Sequence, residues 1–245
     1  MAYFSDREQV PKGFDRMADR YDLLQRPNPG YQRHLVWSAR RLGVAPTSRG
    51  PLLDLCCGTG LSTLALVKSY PRAEVTALDA SENMLALARK KAALANVRFV
   101  LGNAMNPEAA GVEGPYEAIL MAYGIRNVPD INQCLARIHA LLRPGGSVVF
   151  HEYSVAGAWL SQSIWQLVSG NVILPLGKLT TGSDELFRYL RASVLAFDSV
   201  AQFESRLRSC GFGDIKTLPM NGWQRGIVHS FFARRPFGGE TEPHV

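Results

Sequence analysis

The sequence predicts a doubly wound α/β fold, a mostly parallel seven-stranded sheet with helices on both faces. Three observations predict it. From residue 51 onward, short apolar runs alternate with helically spaced stretches, as strands joined by crossover helices do. The first run empties into a turn, Gly58-Thr59-Gly60, that opens directly into a helix. The second run ends on a carboxylate, Asp79. The chain has 245 residues, 47% of them hydrophobic, so one domain with a sizeable core is expected.

The elements follow in order. Residues 51–57 read as the first strand, and 61–70 as a helix that Pro71 stops. Residues 74–78 read as the second strand. Ser81 is expected to cap a helix over 82–95, where Met84, Leu85, Leu87 and Ala88 recur at helical spacing. Strands follow at 97–101 and 116–121. Asp130 caps a helix that runs to residue 142 and is ended by Pro144-Gly145-Gly146, before a fifth strand at 147–152. Then the alternation breaks. Residues 154–181 read as an insertion, 184–210 as two helical pieces stopped by Gly211, and 214–218 and 227–233 as closing strands. Ahead of the sheet, 14–21 and 31–42 read as helices.

Composition excludes several function classes. The net charge of +6 comes from basic residues scattered along the chain (Arg33, Arg40, Arg41, Arg89, Lys90, Lys91, Arg234, Arg235). A nucleic-acid surface gathers them into stripes with aromatics between, so no nucleic-acid partner is expected. Cys56, Cys57, Cys134 and Cys210 form no C-x-x-C pair. Neither a zinc site nor a disulfide framework is expected, and reduced thiols suit the cytoplasm. Residues 1–13 lack the apolar core of a signal peptide. The most apolar stretch, 156–179, is interrupted by Ser161, Gln162, Gln166 and Lys178, so no spanning helix is expected.

The chemistry concentrates in Leu53-Asp54-Leu55-Cys56-Cys57-Gly58-Thr59-Gly60. Glycine allows a tight turn and close approach of backbone to ligand. Ligands in open α/β sheets lie beyond the strands' carboxyl ends, where Asp79 can accept hydrogen bonds from two ribose hydroxyls. A dinucleotide site needs glycine or alanine where this chain has Thr63. Asp54 would repel a phosphate but suits a ligand bearing an ammonium and a sulfonium.

Strand, D-x-x-x-G-x-G, helix and a later strand-end acid together resemble the class I S-adenosylmethionine-dependent methyltransferases, whose fold is Rossmann-like. The segment Ala122-Tyr123-Gly124-Ile125-Arg126-Asn127-Val128 narrows this, being similar to the F-G-[IL]-R-N-V segment of the ubiquinone/menaquinone biosynthesis C-methyltransferases. Phe14-Asp15-Arg16-Met17-Ala18-Asp19-Arg20-Tyr21-Asp22 is similar to that family's N-terminal stretch, and Leu174-Pro175-Leu176-Gly177-Lys178-Leu179 with Tyr189, Leu190 and Ser193 to its later region. Ala122-Tyr123 departs from the common serine–phenylalanine, and Trp223-Gln224-Arg225 from the family's small-residue run.

The resemblance implies S-adenosylmethionine contacts at Thr59, Asp79, Asn103 and Ala104, with no metal. Asp54, Gly58, Gly60, Ala80, Met84 and Ala122 are expected around them, and Tyr21 as a lid. Catalytic candidates are Tyr123, Arg126, His151 and Glu152. His151 or Glu152 would assist deprotonation of a ring hydroxyl while Arg126 orients its oxygen. His151 could equally be a packed strand residue, and Arg126 could pair with Asp130. The domain is expected to comprise a helical cap (1–48), a cofactor-binding core (51–152), an acceptor-covering insertion (154–210), closing strands (211–235) and a disordered tail (236–245). The implied acceptor is a small, lipophilic aromatic, a prenylated quinol methylated on a ring carbon. Trp159, Leu160, Ile164, Trp165, Leu167, Val168 and Val172 either pack into the core, as such a stripe more often does, or face its tail or a membrane surface that the protein meets transiently. O- or N-methylation of another metabolite, and use of the cofactor without methyl transfer, stay open, as does oligomeric state.

Overall fold

The computed structural model describes residues 7–25, 28, 30–181 and 184–238. Its sheet has seven strands in the order β3-β2-β1-β4-β5-β7-β6: β1 (Pro51–Leu55), β2 (Glu74–Asp79), β3 (Arg98–Leu101), β4 (Tyr116–Ala122), β5 (Leu142–Tyr153), β6 (Gly213–Pro219) and β7 (Val228–Arg234). β1 to β5 pair in parallel, while β7 lies antiparallel between β5 and β6. Strand order reverses direction between β1 and β4, which opens a crevice at their carboxyl ends.

Both faces are covered, as near-continuous apolar strands require. On one face, α2 (Tyr31–Arg40) and α3 (Leu61–Ser69) bury Leu35, Ala39, Ala65 and Leu66 against Leu52, Leu120 and Val149. On the other, α5 (Ile131–Leu141) and α9 (Val200–Ser209) bury Leu135, Ile138, Phe203 and Leu207 against Leu53, Ile119, Val148 and Phe150. α4 (Glu82–Arg89) sets Leu85 on Ala77 beside Cys57.

Ser81 caps α4 by accepting the Met84 amide at 3.1 Å, and Asp130 caps α5 by accepting the Gln133 amide at 3.0 Å, as their residue types predict. Other boundaries differ from expectation. The helix predicted over 82–95 ends at Arg89 because Lys91 turns extended and donates from Nζ to the Thr59 carbonyl at 2.6 Å. β1 stops at Leu55 because Cys56 takes a left-handed φ of 62° and leaves the sheet. β5 starts at Leu142 rather than 147, its register against β4 slipping where Gly145 takes a φ of 75°.

α1 (Val10–Gln25) is longer at both ends than the predicted 14–21. The stretch 154–210 divides in two. α9 belongs to the sheet's covering layer, whereas α6 (Trp159–Val168), a π-helical turn (Ser169–Ile173), α7 (Leu174–Thr181) and α8 (Glu185–Ala196) stand at the end of β5. Fully buried Trp165 anchors them on Tyr153, Val194 and Ile227. Its truncation to alanine would cost about 3–5 kcal/mol. Of the tail expected over 236–245, residues 239–245 lie outside the described residues.

Candidate active site

The crevice is built from strand ends. Past Cys56 the chain turns through Gly58 (φ 54°) and Gly60 (φ 86°) into α3. These backbone angles favour glycine. A Cβ at Gly60 would stand 2.8 Å from Leu94, so that glycine serves close packing on the chain after α4. A Cβ at Gly58 would meet nothing within 4 Å, so that position leaves its backbone open for an approaching group.

Asp79, at the end of β2, pins this turn. Its Oδ2 accepts the Gly58 amide at 2.7 Å and its Oδ1 the Ser81 amide at 2.9 Å. Burial raises its pKa, opposed by the amides of Gly58, Ser81 and Ala80. Asp54 lies fully buried beneath the turn, with Oδ2 accepting from Ser62 Oγ at 2.8 Å and Thr63 Oγ1 at 2.6 Å. Burial pushes its carboxyl up to about 7, against the pull of these hydroxyls. Its Oδ1 has no partner among the described residues.

A cleft of about 550 Å³ runs over these strand ends. Gly58, Asp79, Ala80, Met84, Asn103, Ala104, Ala122 and Tyr123 line it, so eight of the residues singled out in the sequence meet there. Asp54, Thr59 and Gly60 do not line it but support its wall. The Tyr21 side chain lies outside the described residues. Asn103 Oδ1 accepts the Met105 amide at 2.9 Å, which leaves its amide hydrogens as the group it can offer. The far wall comes from α1, whose Val10, Pro11 and Phe14 close over the cleft. Asp15 ties α1 down by accepting from Ser81 Oγ at 2.6 Å and from the Asn83 amide and Nδ2 at 3.0 and 2.8 Å. Val10 and Pro11 carry no signal that sequence reasoning could use.

A second cavity of about 380 Å³ adjoins the first, with Phe14 and Tyr123 lining both. Its walls are Tyr31, Tyr153, Leu186, Phe187, Leu190 and Trp223, with Val168, Val172 and Leu176 from the α6–α7 segment. Tyr123 sits in a left-handed conformation (φ 57°) and stacks on Tyr31 with centroids 5.8 Å apart. Asn127 Nδ2 donates to the Tyr123 carbonyl at 2.9 Å while Asn127 Oδ1 accepts from Tyr189 Oη at 2.8 Å. The turn is thus fixed by two side chains far apart in sequence.

Arg126 also lines this cavity, yet it is almost wholly buried. Its partner is Glu152, not Asp130, which is engaged in capping α5. Arg126 Nε donates to Ser193 Oγ at 3.1 Å, and its guanidinium lies 5.3 Å from the Tyr153 ring centre. Burial works to lower the Arg126 pKa, but the Glu152 charge and hydrogen bond together with Tyr153 and Tyr189 outweigh it and hold the guanidinium above its ordinary value. Burial raises the Glu152 pKa, opposed by Arg126.

Glu152 and His151 are fully buried and line neither cavity. Direct contact of either with an acceptor, as first expected, is therefore absent from this geometry. They stand behind Arg126 and Tyr123. His151 Nε2 lies 2.9 Å from Tyr123 Oη and its Nδ1 2.7 Å from Ser38 Oγ. Burial and the charges of His34, Arg41 and His229 lower its pKa to about 3, so its ring is neutral near pH 7. Ser38 lies on α2 and drew no notice in the sequence, since a lone serine on a helix carries no pattern.

Among the described residues no group of three or more His, Cys, Asp or Glu side chains converges to hold a metal. A model of the ubiE/COQ5 methyltransferase family matches residues 3–233. Demethylmenaquinone methyltransferase of Staphylococcus aureus (strain JH9) is 32% identical over 221 residues, 89% of this chain and 90% of that protein. Phosphoethanolamine N-methyltransferase 2 of Haemonchus contortus, solved with S-adenosyl-L-methionine, superposes with a TM-score of 0.65 at 20% identity, over 91% of this chain and 57% of that one. The plantazolicin methyltransferase BpumL, solved with SAH, gives 0.62 at 13%, over 92% of this chain and 95% of that one. At such identities the two solved structures show the fold, while the family model and the S. aureus relative go further: the chain belongs to the ubiE/COQ5 methyltransferase family.

Proposed function

We propose that the protein transfers a methyl group from S-adenosylmethionine to a ring carbon of a prenylated quinol. The observation that carries this reading is the junction of two cavities at Phe14 and Tyr123, one carrying Asp79, Asn103 and a glycine turn, the other aromatic and aliphatic. The name of the S. aureus relative points to demethylmenaquinone as the acceptor type.

The cleft fits the cofactor. Gly58 leaves room for close approach, and the unpartnered Oδ1 of Asp54 supplies negative character beneath the turn. Asp79 would accept from the ribose hydroxyls, Asn103 would donate to an adenine edge, and Met84 and Ala104 would flank the base. When bound, the cofactor supplies a methyl carbon made electrophilic by its positive sulfur.

The chain's own groups do the rest. The aromatic walls exclude water and hold the acceptor ring in line, and such orientation can contribute several kcal/mol to lowering the barrier. The buried Arg126 favours a phenolate on the ring, which makes the ring carbon a nucleophile. The tail would lie along Val168, Val172, Ile173 and Leu176.

On the same α6–α7 segment Trp159 is 77% and Leu179 85% exposed. No described helix is long and apolar enough to cross a membrane. We therefore assign these side chains to transient contact with a lipid surface, where such an acceptor resides. Flotation with anionic vesicles is expected to carry the protein upward, and less so after Trp159→Ser with Leu179→Ser. Unchanged flotation of that variant would remove the assignment.

The functional reading is tested by incubating the protein with S-adenosylmethionine and a panel of reduced quinols, with and without isoprenoid tails. A product heavier by one methyl group, favoured by a tail, is expected. Transfer only to non-quinol O or N acceptors would replace the reading.

A further inference from the structure

Behind Tyr123 lies a buried chain of hydrogen bonds that the proposed reaction does not yet use. Arg41 Nη1 donates to Ser230 Oγ at 2.9 Å. Ser230 Oγ lies 2.6 Å from Ser38 Oγ, Ser38 Oγ 2.7 Å from His151 Nδ1, and His151 Nε2 2.9 Å from Tyr123 Oη. Ser38, His151 and Ser230 are fully buried and come from α2, β5 and β7.

The direction of the chain is fixed at one end. Arginine has donors only, so Ser230 must accept from Arg41. The Ser230 hydroxyl hydrogen then has one acceptor in reach among the described residues, Ser38 Oγ. Ser38 in turn donates to His151 Nδ1. The neutral imidazole carries its single hydrogen on Nε2 and donates it to Tyr123 Oη. The reverse direction would leave the hydrogen of the fully buried Ser230 without an acceptor among the described residues, at the cost of a desolvated, unpaired donor.

We infer that Arg41, Ser230, Ser38 and His151 are positioning residues that hold Tyr123 as a hydrogen-bond donor to the ring oxygen of the acceptor. The tyrosine accepts from His151, so its own hydrogen cannot point there, and Tyr123 lines both cavities. The imidazole is thus a donor and not a base. The role of Tyr123 rests on the quinol reading above, but the direction of the chain does not.

Histidine 15N NMR on the full chain reads the direction without any substrate. The sequence has five histidines, and His151→Gln identifies the signal of His151. Protonated Nε2 with bare Nδ1 is expected, and protonated Nδ1 would overturn the inference even if quinols are methylated. Nε2 protonation in a protein that methylates no quinol would instead overturn the functional reading. With reduced quinol, Tyr123→Phe should lower kcat by roughly 10- to 100-fold, the worth of a hydrogen bond to a charged oxygen, with KM for S-adenosylmethionine within about twofold. Ser230→Ala should mix the two His151 tautomers and lower kcat by roughly three- to tenfold, and Ser230→Thr should restore both. Ser230→Ala with an unmixed tautomer and full kcat would overturn the positioning role.

Discussion

The two cavities of this molecule are built by opposite means. The cofactor cleft has one wall of backbone at strand ends, the turn through Gly58, the amides that Asp79 collects, and the short segment around Asn103 and Ala104, with α1 closing over it. The acceptor cavity is walled by side chains from α1, α2, the β4 turn, the α6–α8 segment and the loop before β7. The second is set by side-chain packing, and on the proposed reading it would carry the specificity.

The largest expected effect should fall on the acceptor side alone. Glu152→Ala leaves Arg126 buried without its counter-charge, which should destabilise the fold by about 3–5 kcal/mol in urea melts. A loss below about 1 kcal/mol would mean that Arg126 finds another partner or water.

The next effect belongs beneath the cleft. The folded-state pKa of Asp54 is raised to about 7 from an ordinary 3.8, so the fold holds its proton more tightly than the unfolded chain does. That contribution to stability is complete below about pH 4 and is lost as pH rises through about 7. Relative to Asp54→Asn, the wild-type protein should therefore lose up to about 1.4 kcal/mol per pH unit across that window, and no more above it. A flat difference between the two would show that Asp54 is ionised throughout.

A smaller effect separates the cavities by binding. Asp79→Ala removes the acceptor of two backbone amides and should weaken S-adenosylhomocysteine by about 2–3 kcal/mol in calorimetry. Thermal stability should fall as well, because the Gly58 and Ser81 amides lose their acceptor. Equal affinity in the variant would break the contrast between the cavities.

Legibility in the sequence follows the same division. Strand alternation, the Asp54-to-Gly60 turn and Asp79 are local patterns, and the sheet and the cleft are where they place them. Ser81 and Asp130 announced their helix caps because capping needs only three residues of context. The pairing of Arg126 with Glu152 rather than Asp130 was illegible because it depends on β4 lying beside β5, 26 residues away. Ser38 and Ser230 were illegible for the same reason: 192 residues separate them, and they meet only through the sheet. The end of α4 at Arg89 was hidden too, since the lysine that breaks it reaches for a carbonyl of another turn.

The most direct test of the account is turnover of 13C-methyl-labelled S-adenosylmethionine with a reduced, prenylated quinol, the product being read by carbon NMR. The label is predicted on a ring carbon. Label on oxygen, or none transferred by folded protein that binds S-adenosylhomocysteine, would contradict the central claim that the two cavities meet for carbon methylation.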